Sequence, residues 1–270
     1  LSKRTGDVIW TYQVNGPVNS APALAGNSVF VGLRDGTLLA LNSETGKLNW
    51  EYDVGGAIYG SPTIINGVAY VGSAGYSIHA LDAQTGVLRW ERSTEYGIYA
   101  TPTIDLGIFI VGSQAGELYM LDAGNGTLRY QIDIGSAIDS TTSIVNNIGY
   151  TTNRTGRVVA FDYTEKDVAF RKALNRIKLH LYVWNMISHP PRTPGVIWST
   201  NLREQNLGNL AIANGRVFAS TVSGKLYALD KDTGSIIWEA ADLPRLFASP
   251  IVSGNTVIQS ASNGTIYGFD

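Results

Sequence analysis

Two stretches of thirteen residues, Leu38–Trp50 (LLALNSETGKLNW) and Ile78–Trp90 (IHALDAQTGVLRW), align without a gap and decide the fold. Leu118–Tyr130 and Leu226–Trp238 repeat the same pattern. The aromatic residues that close the pattern are 40 residues apart from Trp10 through Tyr130, and again from Trp198 to Trp238. The interval from Tyr130 to Trp198 is 68 residues, which is one period plus an insertion of 28. The chain is therefore a repeat protein.

Each repeat contains the signals of four short strands. The first strand starts near an Ala/Ser/Thr-Pro dipeptide, and a turn such as Asn66-Gly67 leads to the second. A turn that ends in glycine opens the third strand, at Gly36, Gly75, Gly116, Gly156, Gly224 and Gly264. The Asp-x-x-Thr-Gly turn leads to the fourth, because Asp accepts backbone N–H groups and Gly adopts a positive φ.

The third strand is apolar at two positions, three residues apart, in every repeat. Residues at an odd spacing point to opposite faces of a strand, so both faces are expected to be covered. These positions are Leu38, Ile78, Leu118, Val158, Leu226 and Ile266, and Leu41, Leu81, Leu121, Phe161, Leu229 and Phe269. Four-stranded units of this length are typical of a β-propeller. The sequence predicts an all-β, six-bladed β-propeller over residues 1–270. Residues around Trp10 supply the outermost strand of the blade that ends at Asp270, which removes an exposed edge.

The composition excludes several functional classes. The 270 residues include no Cys, so disulfides, thiol nucleophiles, Cys-ligated zinc and covalent c-type haem are excluded. The formal net charge of −2 gives no global attraction to nucleic acid. The absence of an 18-residue apolar run, and the polar stretch that Leu1 opens, lead us to expect a soluble chain with a mature or trimmed start.

The repeated motif resembles the quinoprotein-like (PQQ-type) propeller repeat, Ala/Gly-Leu-Asp-x-x-Thr-Gly-x-x-x-Trp. This family includes quinoprotein alcohol dehydrogenases, the propeller lipoprotein of the outer-membrane β-barrel assembly machinery, and sensor domains. The resemblance implies that the dehydrogenases use a vicinal disulfide, a calcium ion and a catalytic Asp, and the first is impossible without Cys. The Asp residues here recur at the turn, which favours a structural role: Asp82, Asp122, Asp162, Asp230 and Asp270. We therefore assign no catalytic, cofactor-binding or metal-binding residue and expect no cofactor.

The connections between blades form the first candidate site, because in propellers they lie at one mouth of the central channel. Two positions before each Ser-Pro-like dipeptide the chain carries Asn19, Tyr59, Tyr99, Asp139, Leu207 and Phe247, with Arg245, Gln205 and Glu95 close by. These side chains suit an extended peptide or a small ligand. The alternative is that they plug the channel.

The insertion, residues 163–194 in blade four, is the second candidate site. Its apolar residues fall at steps of three or four and predict a helix over about 166–186: Phe170, Ala173, Leu174, Ile177, Leu181 and Trp184. Five cations make this helix basic: Lys166, Arg171, Lys172, Arg176 and Lys178. The helix can dock on its own propeller, bind a partner or contact an anionic membrane surface. His180 and His189 lack further ligands at metal-binding spacing.

These observations favour a non-enzymatic scaffold that binds a protein or peptide partner and not nucleic acid. The alternatives are a quinone- or calcium-dependent dehydrogenase and a ligand-sensing module of a larger signalling protein. The family resemblance, rather than composition, implies a periplasmic or extracellular location. The sequence leaves the oligomeric state open.

Overall fold

The computed structural model of the chain describes residues 2, 4–164, 177–178, 180–186 and 195–270. It divides into two compact units. Unit 1 comprises residues 1–115 and 122–127, and unit 2 comprises residues 116–121 and 128–270. Both units are built from short antiparallel strands in chain order. The prediction of an all-β chain is confirmed.

Unit 1 contains two four-stranded sheets, in which each strand pairs with the next along the chain. The first sheet consists of β1 (Ala23–Ala25), β2 (Ser28–Gly32), β3 (Thr37–Asn42) and β4 (Leu48–Asp53). The second consists of β5 (Thr63–Ile65), β6 (Val68–Ser73), β7 (Ser77–Asp82) and β8 (Leu88–Ser93). The antiparallel strands β9 (Thr103–Asp105) and β10 (Ile108–Gly112) follow.

Unit 2 begins with the antiparallel strands β11 (Glu117–Asp122) and β12 (Leu128–Asp133). A four-stranded sheet follows, with β13 (Ser143–Val145), β14 (Ile148–Thr152), β15 (Arg157–Asp162) and β16 (Val196–Asn201). The next sheet consists of β17 (Ala211–Ala213), β18 (Arg216–Ser220), β19 (Leu226–Asp230) and β20 (Ile236–Ala240). The last contains β21 (Ile251–Ser253), β22 (Thr256–Ser260) and β23 (Ile266–Phe269).

The Asp-x-x-Thr-Gly turns have the geometry that the sequence predicts. Oδ1 of Asp82 accepts hydrogen bonds from the backbone N–H groups of Gln84 and Thr85 and from the Thr85 hydroxyl, each at 3.0 Å. Gly86 closes the turn at a φ of 74°, which a residue with a Cβ resists. Asn42 and Asp230 accept the same three bonds in their own turns.

The aromatic residue of the fourth strand joins its own repeat to the next one. Nε1 of Trp50 in β4 donates to the carbonyl oxygen of Ala83, 3.1 Å away in the turn between β7 and β8. The bond spans 33 residues and recurs from Trp10 to Ser43, from Trp90 to Ala123 and from Trp198 to Lys231. The hydroxyl of Tyr130 bonds to the carbonyl oxygen of Asp162 in the same way. The repeat motif is thus a contact between repeats as well as a turn.

The last repeat differs from the prediction of four strands. The sheet β21–β23 has three strands, and residues 4–22 contain no strand. Ile266 in β23 is 72% exposed, although the pattern predicted that both faces of every third strand are covered. The unit 2 sheet also has no strand beyond β23 among the described residues. Closure of the last blade by the N-terminal residues is not confirmed.

The prolines of the repeats mark where the first strands begin, as the sequence predicts. The first strands begin one residue after the proline of each Pro-containing dipeptide, as at Thr63 after Pro62, because proline has no N–H to donate to a ladder. Of the helix predicted over 166–186, Ile177, Lys178 and residues 180–183 are helical. Residues 184–186 form a turn and not a helix, while residues 166–176 and 179, which include Phe170 and Leu174, lie outside the described residues. In the described part of the chain, no helix is long and apolar enough to cross a membrane.

Candidate functional site

The connections between successive sheets and the hairpin loops between second and third strands lie at the same end of each sheet. In unit 1 the N–H of Ala74, in the β6–β7 loop, donates to the carbonyl oxygen of Ala57, which lies between β4 and β5. In unit 2 the N–H of Arg154, in the β14–β15 loop, donates to the carbonyl oxygen of Ala137. Each connection therefore shares its surface with a hairpin loop, which the sequence prediction left out. We call this end of each sheet the connection face.

Three side chains stack on the connection face of unit 1. The rings of Tyr59 and Tyr99 have centroids 4.5 Å apart, although the two residues are 40 positions apart in the chain. The guanidinium carbon of Arg34 lies 5.3 Å from the centroid of the Tyr59 ring, and its Nη2 donates to the Tyr59 hydroxyl at 3.1 Å. We call these residues the Arg-Tyr-Tyr stack. The predicted Asn19 is exposed.

Sequence reasoning found both tyrosines of this stack and missed Arg34. Arg34 lies in the β2–β3 loop, two positions before Gly36. The signal that could have found it is the order of the strands. In an antiparallel four-stranded repeat, the loop between the second and third strands lies at the end where the chain enters and leaves the repeat.

An ion pair occupies the connection face of unit 2. The carboxylate of Asp139 accepts hydrogen bonds from Nη2 of Arg154 at 2.6 Å and from Nε at 3.0 Å. The two side chains are 27% and 43% exposed, so solvent screens their attraction. Of the other predicted residues, Leu207 and Phe247 are 41% and 51% exposed, and Arg245 is exposed.

A cleft of about 380 Å³ lies beside this ion pair and is lined by Ser136, Arg154, Thr155, Arg203, Glu204 and Gln205. Arg203 has a φ of 59°, in the left-handed region that favours glycine. The equivalent positions after β4 and β12 are Gly55 and Gly135. The N–H of Arg203 donates to Oδ1 of Asn201 at 2.8 Å, which holds the loop in this conformation.

Glu204 anchors the other wall of the cleft. Its carboxylate accepts hydrogen bonds from the hydroxyl groups of Ser223 and Thr221 and pairs with Nζ of Lys225 at 2.9 Å. Burial alone would raise the pKa of Glu204, but the bonds from Ser223, Lys225 and Thr221 outweigh it and lower the pKa. The hydrogen bonds to Glu204 and Glu239 raise the pKa of Lys225. The pair therefore stays ionised at neutral pH.

A buried amide lies next to the predicted Leu207. Asn206 is 3% exposed, and its Oδ1 accepts the N–H of Gly208, but its Nδ2 has no partner in the described part of the chain. Four of the other repeats place a buried apolar side chain here, namely Ile58, Ile98, Ile138 and Leu246, and the first repeat has Val18, which is 47% exposed. The sequence prediction did not include Asn206. Aligning the connections between repeats would have shown an Asn where four of the other repeats have Ile or Leu.

The described residues offer little acid, base or metal chemistry. The turn carboxylates are engaged in their own loops, as Asp82 shows. Among the described residues, no three His, Asp or Glu side chains lie close enough together to hold a metal ion. The hydroxyl of Ser77 lies 2.8 Å from Nε2 of His79, but the two residues are only 6% and 3% exposed. A second cleft, about 1130 Å³ at the other end of unit 1, is lined by turn residues such as Asn27 and Asn66 and by the ends of the neighbouring strands.

Nearly the whole chain matches the model of one protein family. A family model described as "Outer membrane protein assembly factor BamB" matches residues 1–181 and 187–270. The chain belongs to this family. The assignment confirms the resemblance to the PQQ-type repeat, because BamB is a PQQ-like β-propeller.

Solved structures show the fold of this BamB-family chain. The crystal structure of BamB from Moraxella catarrhalis matches with a TM-score of 0.77 and 20% identity, covering 98% of this chain and 74% of that one. The computationally designed protein Ika8 matches with a TM-score of 0.73 and 16% identity, covering 93% of this chain and 70% of that one. At these identities the likeness shows the β-propeller fold alone. Curated protein sequences gave no significant match.

Proposed function

We propose that this chain is a non-enzymatic scaffold of the cell envelope that binds a protein partner through its connection face. The Arg-Tyr-Tyr stack is the observation that carries the proposal. Its side chains come from two connections and one hairpin loop of unit 1, and they hold one another in place. Tyrosine and arginine are enriched in the small groups of residues that dominate binding energy at protein interfaces.

The connection face of unit 2 supports the same function. Arg154, Arg203 and Glu204 place charges of both signs around one cleft. Such a pattern selects a partner with complementary charges and raises the rate of encounter. The left-handed backbone of Arg203 fits this role, because strained residues cluster at functional loops.

Membership of the BamB family supports the location and the class of partner. The family description names an outer membrane protein assembly factor, which implies envelope proteins as partners. The dehydrogenase alternative needs free carboxylates for calcium and catalysis. The repeated Asp residues fit that chemistry poorly, since Asp82 and Asp230 each use one oxygen to accept three hydrogen bonds within the turn. No observation favours the sensor alternative.

Closure of the last blade belongs to this proposal, because a stable scaffold leaves no apolar edge open. In unit 2, β23 lacks a neighbour on one side. In unit 1, residues 8–12 have no strand partner among the described residues, while the indole of Trp10 bonds to Ser43 in the next repeat as that of Trp50 bonds to Ala83. The shared period of 40 residues makes residues 8–12 the equivalent of a fourth strand.

The test is retention of a specific partner from solubilised cell envelopes, followed by binding of that purified partner. We expect Tyr59→Ala/Tyr99→Ala to abolish binding while the melting temperature stays close to that of the native chain. Val87→Ala is the matched control, because Val87 is 63% exposed in the β7–β8 turn at the other end of the same sheet. Equal binding by the native chain and the double variant would contradict the proposal.

A further inference from the structure

The described part of the insertion exposes an unusual run of apolar side chains. Ile177 is 58% exposed, Val183 is 67%, Trp184 is 66% and Met186 is 67%. These four large side chains lie within ten residues of one another. Side chains that dock on a surface are largely buried, and each of these four is more than half exposed. The first alternative for this segment, packing on its own propeller, therefore does not account for these residues.

Local hydrogen bonds give the run a definite conformation. The N–H of Trp184 donates to the carbonyl oxygen of His180 at 3.0 Å, and the N–H of Met186 donates to that of Leu181 at 2.8 Å. The edge of the His180 ring also contacts the indole of Trp184, with centroids 6.1 Å apart. Trp184 and Met186 thus follow the helical residues 180–183 in a hydrogen-bonded turn, and both side chains are exposed.

The propeller fold does not account for this run. The family match is interrupted at residues 182–186, which are Tyr182, Val183, Trp184, Asn185 and Met186. Of the four exposed residues, Val183, Trp184 and Met186 lie outside the matched residues, whereas Ile177 lies within them.

Charge separates this segment from the rest of the chain. Residues 165–178 contain five Lys or Arg and two acidic residues, a net charge of +3 in a chain whose net charge is −2. Residues 177–186 contain Lys178 and no acidic residue. The exposed apolar run is thus adjoined by positive charge, and the complementary surface is anionic.

We infer that this run lies on an anionic phospholipid bilayer, with Val183, Trp184 and Met186 entering the boundary between headgroups and acyl chains. Trp and Tyr are the side chains that favour this boundary, and basic residues close to it are attracted to anionic headgroups. The net charge of +3 over residues 165–178 favours anionic headgroups as the surface that this run contacts. The contact is peripheral, and the propeller stays in water.

Vesicle binding tests this inference with the full chain. We expect the chain to sediment with vesicles of phosphatidylcholine mixed with phosphatidylglycerol, about tenfold more tightly than with phosphatidylcholine alone, and less tightly at high salt. Val183→Ser/Trp184→Ser should lose about tenfold or more of this affinity. Leu24→Ser/Val87→Ser is the matched control, because these residues are 70% and 63% exposed in unit 1, and it should bind like the native chain.

Three outcomes would overturn the inference. The first is no sedimentation with anionic vesicles at low salt, and the second is equal binding by the native chain and Val183→Ser/Trp184→Ser. The third is binding of this run to a purified protein in place of vesicles. The depth at which Trp184 enters the bilayer supplies an independent readout. Lipids brominated near the headgroup should quench Trp184 fluorescence. Trp184→Phe should remove that quenching while vesicle binding persists.

Discussion

Gly86 of the β7–β8 turn lies directly beneath the indole ring of Trp50 from the preceding sheet. A Cβ atom on Gly86 would lie 2.7 Å from Cδ2 of Trp50, closer than any real carbon contact, and the φ of Gly86 is 74°. The same approach recurs between Gly46 and Trp10, Gly126 and Trp90, and Gly234 and Trp198. The glycine of the motif is thus needed twice, for the turn and for the aromatic ring that packs on it.

Alanine substitutions at Gly86 and Gly67 together separate the cost of the left-handed backbone from the cost of the contact with Trp50. We expect Gly86→Ala to lower the free energy of unfolding by about 2–4 kcal/mol, from a left-handed backbone and an overpacked contact. Gly67→Ala is the control, because Gly67 has a φ of 73° with no atom within 4 Å of the added Cβ. It should lose only about 1 kcal/mol. Urea unfolding measures both, and equal losses would show that the Trp50 contact contributes nothing.

Acid should weaken unit 1 through His79. This ring is 3% exposed, and its Nδ1 has no partner in the described structure. Burial lowers the pKa of His79 below its ordinary value of 6.5, despite the opposing effect of Glu91, the carbonyl of Val54 and Asp53. The neutral ring is therefore the folded form. Its contribution to stability is complete above about pH 6.5 and is lost as the pH falls below that value.

The variant His79→Leu isolates this effect, because Leu39 occupies the equivalent position in β3 and is buried. The difference in unfolding free energy between the native chain and the variant should change between pH 7.5 and pH 5.5, in favour of the variant at the lower pH. A difference that stays constant would assign the acid sensitivity to other groups.

Asp82 should titrate at an unusually low pH. The hydrogen bond from Arg89, followed by those from Thr85, lowers the pKa of Asp82 to about 2. The folded-state pKa is depressed, so this contribution is present above the ordinary value of 3.8 and is lost as the pH falls towards 2. Carbon-detected NMR titration should show Arg89→Ala raising the pKa of Asp82, while the bonds from Thr85 keep it below 3.8. An unchanged pKa would exclude the role of Arg89.

Removing residues 1–12 tests the closure of the last blade. The deletion removes the hydrogen bond of Trp10 to Ser43 and the packing of its ring on Gly46, which should cost roughly 3–5 kcal/mol. Closure adds a second effect, because β23 loses its strand partner as well. Hydrogen exchange distinguishes the two: those amides of residues 266–269 that do not bond to β22 should be protected in the full chain and exposed in the truncated one. Equal melting temperatures for the two chains would contradict closure.

Much of the fold was predictable because its information is local. The turn around Asp82, the positive φ of Gly86 and the strands on either side depend on residues within one repeat, and six copies of one pattern make the assignment secure. Both tyrosines of the Arg-Tyr-Tyr stack were predictable for the same reason, since they occupy one repeat position. The insertion could be recognised as a break in the period at residues 163–194.

Contacts that join distant parts of the chain had to come from the tertiary structure. The sequence by itself determined the period, the turns and the all-β class, because backbone hydrogen bonding and turn preference act over a few residues. Only the tertiary structure decided that Trp50 bonds to Ala83, that Arg34 stacks on Tyr59 and that Trp184 remains exposed. Each of these depends on which surfaces meet after the strands have formed, and the residue type at one position does not specify its distant partner.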